Sequence, residues 1–272
     1  YEGARGIAWP FLASLGATAS FVAIVAGLGE LLGYGLRLVS GQLSEKTGQF
    51  WSITIIGYVI QMASVPLLAL ASTWKTAALL ILTERIGKAI RNPPRDVMLS
   101  HAAQEIGYGW GFGIHEALDQ CGALFGPLLV AVVLWHQGTY QLAFAALLIP
   151  AIVTLILLLV ARWIYPRPQD MEHITSDLQG TGLPRIFWLY LSGAALVAAG
   201  FADFPLIAYH FQKQGVMSPA WVSILYSIAM ATAGVGSLIC GKLFDRRGIS
   251  LLISLTLISL CFAPLVFFGS FP

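Results

Sequence analysis

Three stretches without a single charged residue, Trp51–Ala71, Tyr140–Ala161 and Pro219–Cys240, restrict what this chain can fold into. Each is as long as the ~20 residues a helix needs to cross the hydrocarbon core of a bilayer. Lipid offers no partner for an unpaired amide, so a run of this kind satisfies its backbone internally, as helix. The strands of a membrane barrel would be ~10 residues long and alternate in polarity, and these runs do neither. Composition agrees. Only 10% of the 272 residues are charged, against about a quarter in an average soluble domain, and 57% are hydrophobic. Mean hydropathy is +0.78. An all-α integral membrane protein in a lipid bilayer is expected. The net charge is +2 and there is no basic tract, which argues against nucleic acid as a partner. Cys121, Cys240 and Cys261 fall in apolar segments without metal-ligand spacing and read as small buried side chains. No cofactor is expected.

Nine segments are legible: Tyr1 to about Gly16, then Ser20–Leu43, Trp51–Ala71, Thr76–His101, Trp110–Trp135, Tyr140–Ile164, Ile186–Tyr209, Pro219–Leu243 and Ile249–Gly269. Residues 165–185, with "YPRPQDMEHITSDLQGTGLP", break both periodicity and apolarity and form a linker between residues 1–164 and 186–272. With that linker cytoplasmic, Arg37, Lys46, Arg91, Arg95, Arg162, Arg167, Arg185, Lys242, Arg246 and Arg247 lie inside, against Lys75 and Lys213 outside. This bias fixes the orientation, and a place in the cytoplasmic (inner) membrane is expected. Tyr1 already stands in a helix-like segment and Pro272 in another, so a piece of a longer chain is expected.

A phrase recurs. "GQLSEKTGQF" (Gly41–Phe50) and "GKLFDRRGIS" (Gly241–Ser250) share their spacing, and each closes a helix entered about 25 residues earlier. Those entries, "LGATASFVAIV" (Leu15–Val25) and "QGVMSPAWVSIL" (Gln214–Leu225), also resemble each other. A repeat of about 200 residues holding roughly six helices implies two homologous bundles joined by a cytoplasmic linker, a transporter layout.

On these residues the chain resembles the major facilitator superfamily. That family's pattern G-x-L-[small]-[D/N]-[R/K]-x-G follows its second helix and recurs more weakly after its eighth. Gly41, Leu43, Ser44, Glu45, Lys46 and Gly48 fit the first copy, with Glu45 where Asp is usual. Gly241, Leu243, Asp245, Arg246, Arg247 and Gly248 fit the second. "GALFGPLLVAV" (Gly122–Val132) is similar to a helix 5 glycine-proline pattern of exporters but lacks its trailing glycine pair. The resemblance implies two six-helix bundles, of which this chain holds most of helix 1 through helix 9. It also implies that helices 1 and 7 line a central cavity.

Ionisable side chains at membrane depth are costly and face the protein interior, paired or functional. Glu2 and Arg5 share a face, either as a local ion pair bridging helices or as a substrate or proton site. Glu30 has no opposite charge nearby in its segment, so it needs a partner from another helix; it is a candidate proton carrier. Gly29 and Gly33 beside it form a small-xxx-small packing pair. Glu84, Lys88, Arg91 and Arg95 form one stripe, with Arg85 about 100° away. Pro93 and Pro94 are expected to interrupt this helix near the cytoplasm. Arg95 and Asp96 beyond them are candidate partners for Glu45 and Lys46, which makes a latch. His115, Glu116 and Asp119 allow a proton relay, a structural polar network or half of a metal site. Asp203 is the one charge inside the seventh segment and reads as an outer gate or an ion site.

The expectation is a secondary transporter, monomeric and coupled to protons through its buried acids, moving a small polar or charged solute by alternating access. A drug or metabolite exporter of the same fold is the alternative within the class. Outside it stands a membrane-embedded metal-dependent enzyme using His115, Glu116 and Asp119, which would leave the repeat unexplained.

Overall fold

The computed structural model describes residues 1–167, 185–200, 219–261 and 264–265. Among them every regular element is helical: α1 (Glu2–Ser14), α2 (Ala19–Thr47), α3 (Phe50–Leu67), α4 (Trp74–Ala103), α5 (Tyr108–Gln137), α6 (Tyr140–Ala146), α7 (Leu148–Ile164), α8 (Arg185–Gly200), α9 (Pro219–Arg247) and α10 (Ile249–Leu260). A 3₁₀ turn, Leu68–Leu70, follows α3. Contacts divide the chain into two units, Tyr1–Ile106 with Asp119–Met171, and Gly107–Leu118 with Glu172–Pro272.

Five stretches among the described residues are long and apolar enough to cross a membrane: Ala19–Thr47, Phe50–Leu70, Tyr108–His136, Tyr140–Ile164 and Ile228–Arg247. The thirty-residue α4 is not among them, because it carries Glu84, Arg85, Lys88, Arg91, Arg95 and Asp96. Such a helix cannot face lipid along that side. In the first unit it is packed most extensively against α3 and α2. Its apolar remainder joins the core: Ala77, Ala78 and Ile81 pack with Ala4, Ala8, Phe11 and Leu12 of α1 and with Val65 and Leu68. Phe11 is fully buried, its ring centroid 5.1 Å from that of Phe144.

Helix starts follow local chemistry. Thr18 and Thr73 stand in extended backbone and accept hydrogen bonds from Phe21 N and Thr76 N, capping α2 and α4. Helix ends depart from the sequence reading. Helix α2 runs through Gly41 to Thr47, and α9 through Gly241 to Arg247. Both helices thus run past Leu43 and Leu243, the expected ends of their segments; the turns are made at Gly48 and Gly248, both with positive φ. The expected single helix over Tyr140–Ile164 divides at Leu147. Pro150 has no N–H for the carbonyl of Ala146, so one rung of the ladder is missing there.

Nor do Pro93 and Pro94 interrupt α4, which passes through both. Pro93 leaves the carbonyl of Ala89 without its helical donor. Ser40 of α2 supplies one: its hydroxyl is shared between Ala89 O, at 3.0 Å, and Arg37 O, at 3.2 Å. The helix continues because a neighbouring helix completes it.

Candidate functional site

In the first unit, charges expected from the sequence on separate helices meet. Arg85 of α4 lies between two acids, with Nη1 3.4 Å from Glu30 Oε1 of α2 and Nε 3.6 Å from Glu84 Oε2. Gly29 lets the Arg85 stem pass, since a Cβ there would sit 3.3 Å from Arg85 Cγ. Glu84 also accepts a hydrogen bond of 2.7 Å from Gln61 Nε2 of α3. The amide oxygen of Gln61 accepts from Arg91 Nε, and Arg91 Nη1 donates to the Tyr58 hydroxyl at 3.0 Å. The result is a continuous chain, Glu30–Arg85–Glu84–Gln61–Arg91–Tyr58, across three helices.

Tight backbone packing makes the chain possible. A Cβ on Gly57 of α3 would meet Arg91 N at 2.7 Å, and one on Gly87 of α4 would meet Gln61 N at 2.6 Å. With hydrogen in both places, α3 and α4 approach closely enough for Gln61 to touch both ions. Arg91 is 3% exposed and Gln61 fully buried. The Arg91 guanidinium also lies 4.4 Å from the Tyr58 ring centroid and 5.9 Å from that of Tyr1, faces that suit a poorly hydrated cation. Asp119 of α5 is close enough to act electrostatically on Arg91 and Tyr1. Lys88 Nζ stands 4.4 Å from the Tyr1 ring centroid.

Beside this network a shallow cleft opens between α1, the end of α3 and α4, about 430 Å³ when the open solvent in front of it is counted in. Arg5, Glu84 and Arg85 bring charge to its wall, and Tyr1, Trp9, Val65, Leu68 and Ile81 bring apolar surface. Arg5 is held only loosely, its Nη1 3.7 Å from Glu2 Oε1, with 54% of its side chain exposed.

The remaining expected residues are placed differently. Arg95 binds its neighbour Asp96, with Nη2 2.7 Å and Nε 2.9 Å from Oδ1. Glu45 and Lys46 are exposed and form no ion pair among the described residues, so the latch to Arg95 and Asp96 is not made in this structure. His115 and Glu116 fall in the second unit and Asp119 in the first. No group of three His, Cys, Asp or Glu able to hold a metal occurs among the described residues. Asp203 lies outside the described residues. Arg246 and Arg247 are exposed.

Asp245 has a definite partner within the second unit. Its Oδ1 accepts from Gly109 N at 2.7 Å and its Oδ2 from Trp110 N at 2.8 Å. It thus caps the first turn of α5, where amides have no helical acceptor and the helix dipole favours an anion. Lys242 Nζ lies 4.4 Å from the Trp110 ring centroid.

Tyr58, Gln61 and Arg91 are the functional candidates that sequence reasoning missed. Gln61 had a signal, as the one long amide in the uncharged run Trp51–Ala71. Arg91 belonged to the recognised stripe, and its burial, with α3 packed against α4, became visible only in the structure.

Apolar spans surrounding a helix whose charges are turned inward define a multi-pass integral membrane protein. Residues 3–272 match the family model of the Major Facilitator Superfamily, and the chain belongs to that family, which is one of transporters. Proteins described as uncharacterized from Mycobacterium bovis and Mycobacterium tuberculosis are 42% identical over 267 residues, 96% of this chain and 65% of theirs. An uncharacterized MFS-type transporter of Methanocaldococcus jannaschii is 27% identical over 247 residues, 87% of this chain and 60% of its own. The chain thus spans slightly less than two thirds of the length of these relatives. No solved structure matches it significantly.

Proposed function

We propose that the protein is a monomeric secondary transporter of the cytoplasmic membrane, moving a small polar or charged solute by alternating access and coupled to protons. The observation that carries this reading is the pairing of one arginine, Arg85, with two acids on different helices, beside an open cleft. A proton on Glu30 removes one of the two counter-charges of Arg85 and weakens the tie between α2 and α4. A ligand or proton that prefers one conformer shifts the balance by that preference and by nothing else. The two charged phrases serve as the gate, Gly41, Glu45, Lys46 and Gly48 with Arg95 and Asp96 in the first, Gly241, Asp245, Arg246, Arg247 and Gly248 in the second. His115, Glu116, Asp119 and Asp203 are further candidates for the proton path.

The test is solute flux in proteoliposomes of the full-length protein under an imposed pH gradient. Flux should follow the gradient in the native protein and lose that dependence in Glu30→Gln. Flux that ignores both the gradient and the substitution would sink the coupled mechanism. Reversing the gradient reads the direction of transport.

A further inference from the structure

We propose that the cleft between α1, α3 and α4 takes a small organic anion, a carboxylate carried on an apolar body, with Arg5 as its anchor. The inference rests on reading this cleft as the solute site and adds the class of solute.

The assignment comes from which charges on the cleft wall are already engaged. Arg85 faces both Glu30 and Glu84, so its charge is balanced within the protein. Glu84 accepts from Gln61 and faces Arg85, so it offers little to an incoming cation. Arg5 differs from both. Its one ion contact among the described residues, with Glu2, is 3.7 Å long, beyond the ~2.7–2.9 Å of a charge-assisted hydrogen bond. Its guanidinium is more than half exposed and on the cleft wall. A guanidinium presents paired N–H donors that match a carboxylate in two parallel bonds, a better fit than the loose contact with Glu2. A solute carboxylate therefore displaces Glu2 from Arg5 at small loss.

The rest of the wall selects the body of the solute. Trp9 is four residues from Arg5 on α1 and shares its face. With Val65, Leu68 and Ile81 it forms an apolar surface next to the guanidinium. A compact ring or branched chain bearing one carboxylate satisfies both features at once. An amphiphilic cation would meet the like charge of the loosely paired Arg5, and a neutral analogue would gain only the apolar contact.

Binding of benzoate, benzylamine and benzyl alcohol to the full-length protein in detergent tests this by calorimetry. The three share a ring and differ in charge. Benzoate should bind best, and Arg5→Gln should weaken it by about tenfold or more, the scale of a hydrogen bond between charged groups. Arg5→Lys, which keeps the charge but loses the paired geometry, should fall between. Thermal melting of each variant without ligand, unchanged from the native protein, shows that the loss is not unfolding. Benzylamine binding as tightly as benzoate, or benzoate binding untouched by Arg5→Gln in a folded variant, overturns the assignment. Failure of the transport reading would look different: the benzoate preference would stand while proteoliposome flux ignored the pH gradient.

Discussion

At Gly48 and at Gly248 the chain ends a long helix in the same way. Each glycine has positive φ, 65° and 58°, and its N–H reaches back four residues, to Ser44 O and Phe244 O. Seven residues earlier the two copies part. A Cβ on Gly41 would lie 3.5 Å from Pro93 Cβ, an ordinary contact. A Cβ on Gly241 would collide with the carbonyl of Gly109 and come within 3.2 Å of Gly113 Cα. The acids differ as well: both are exposed, but Glu45 forms no ion pair among the described residues, whereas Asp245 accepts from two amides at the start of α5. The shared spelling thus encodes the turn, while the neighbouring helix decides what the glycine and the acid do. Where that neighbour comes within backbone contact, the acid becomes a cap.

The largest effect that would break this comparison is steric. Gly241→Ala should destabilise the full-length protein by about 1–3 kcal/mol, the usual range for overpacking, because backbone rather than a flexible side chain stands in the way. Gly41→Ala has room and lies inside a helix, so it should gain about 0.5–1 kcal/mol in propensity. Thermal or denaturant unfolding in detergent reads both. Equal effects at the two sites would show that the α5–α9 contact does not hold.

Next in size is a difference at the turns. Gly48 has ψ 7°, the left-handed helical region, which asparagine also enters. Gly248 has ψ −143°, close to a region open essentially to glycine alone. Gly248→Asn should therefore cost about 1–3 kcal/mol and Gly48→Asn less than about 1 kcal/mol. The same unfolding experiment checks the pair.

Much of this architecture was legible from residue order. Apolar length and the lack of charge located the membrane-crossing stretches, and the recurring phrase pointed to the family. What could not be read locally were features completed by another helix. Pro93 and Pro94 signal a break, and only the Ser40 hydroxyl, from α2, supplies the missing donor. Gly41 opens a polar phrase where the expected segment is about to end, yet glycine in a helix costs only about 1 kcal/mol and packing overrides it. In the candidate site the sequence put Glu30 in need of a partner and set Arg85 apart from the stripe; that the two meet is a fact of helix packing. Gln61 was passed over because a neutral amide carries no hydropathy signal comparable to a charge. Its importance appears only once Gly57 and Gly87 bring α3 and α4 together.

The smallest effect is the most specific. Asp245 uses both carboxylate oxygens, one for each amide, and its charge faces the positive end of α5. Asparagine keeps the shape but has one acceptor and no charge, so Asp245→Asn leaves either Gly109 N or Trp110 N without its partner. The expected loss is about 1 kcal/mol, the scale of a helix cap. Glu45→Gln, at a side chain with no ion pair among the described residues, should stay within about 0.5 kcal/mol. Hydrogen exchange can localise the loss. Amide exchange at Gly109 or at Trp110 should accelerate roughly fivefold in Asp245→Asn, as ~1 kcal/mol implies, while the amides of the first phrase keep their native rates in Glu45→Gln. If neither amide exchanges faster in Asp245→Asn, the carboxylate is not the cap, and the two acids do not differ in the way the contacts of Asp245 imply.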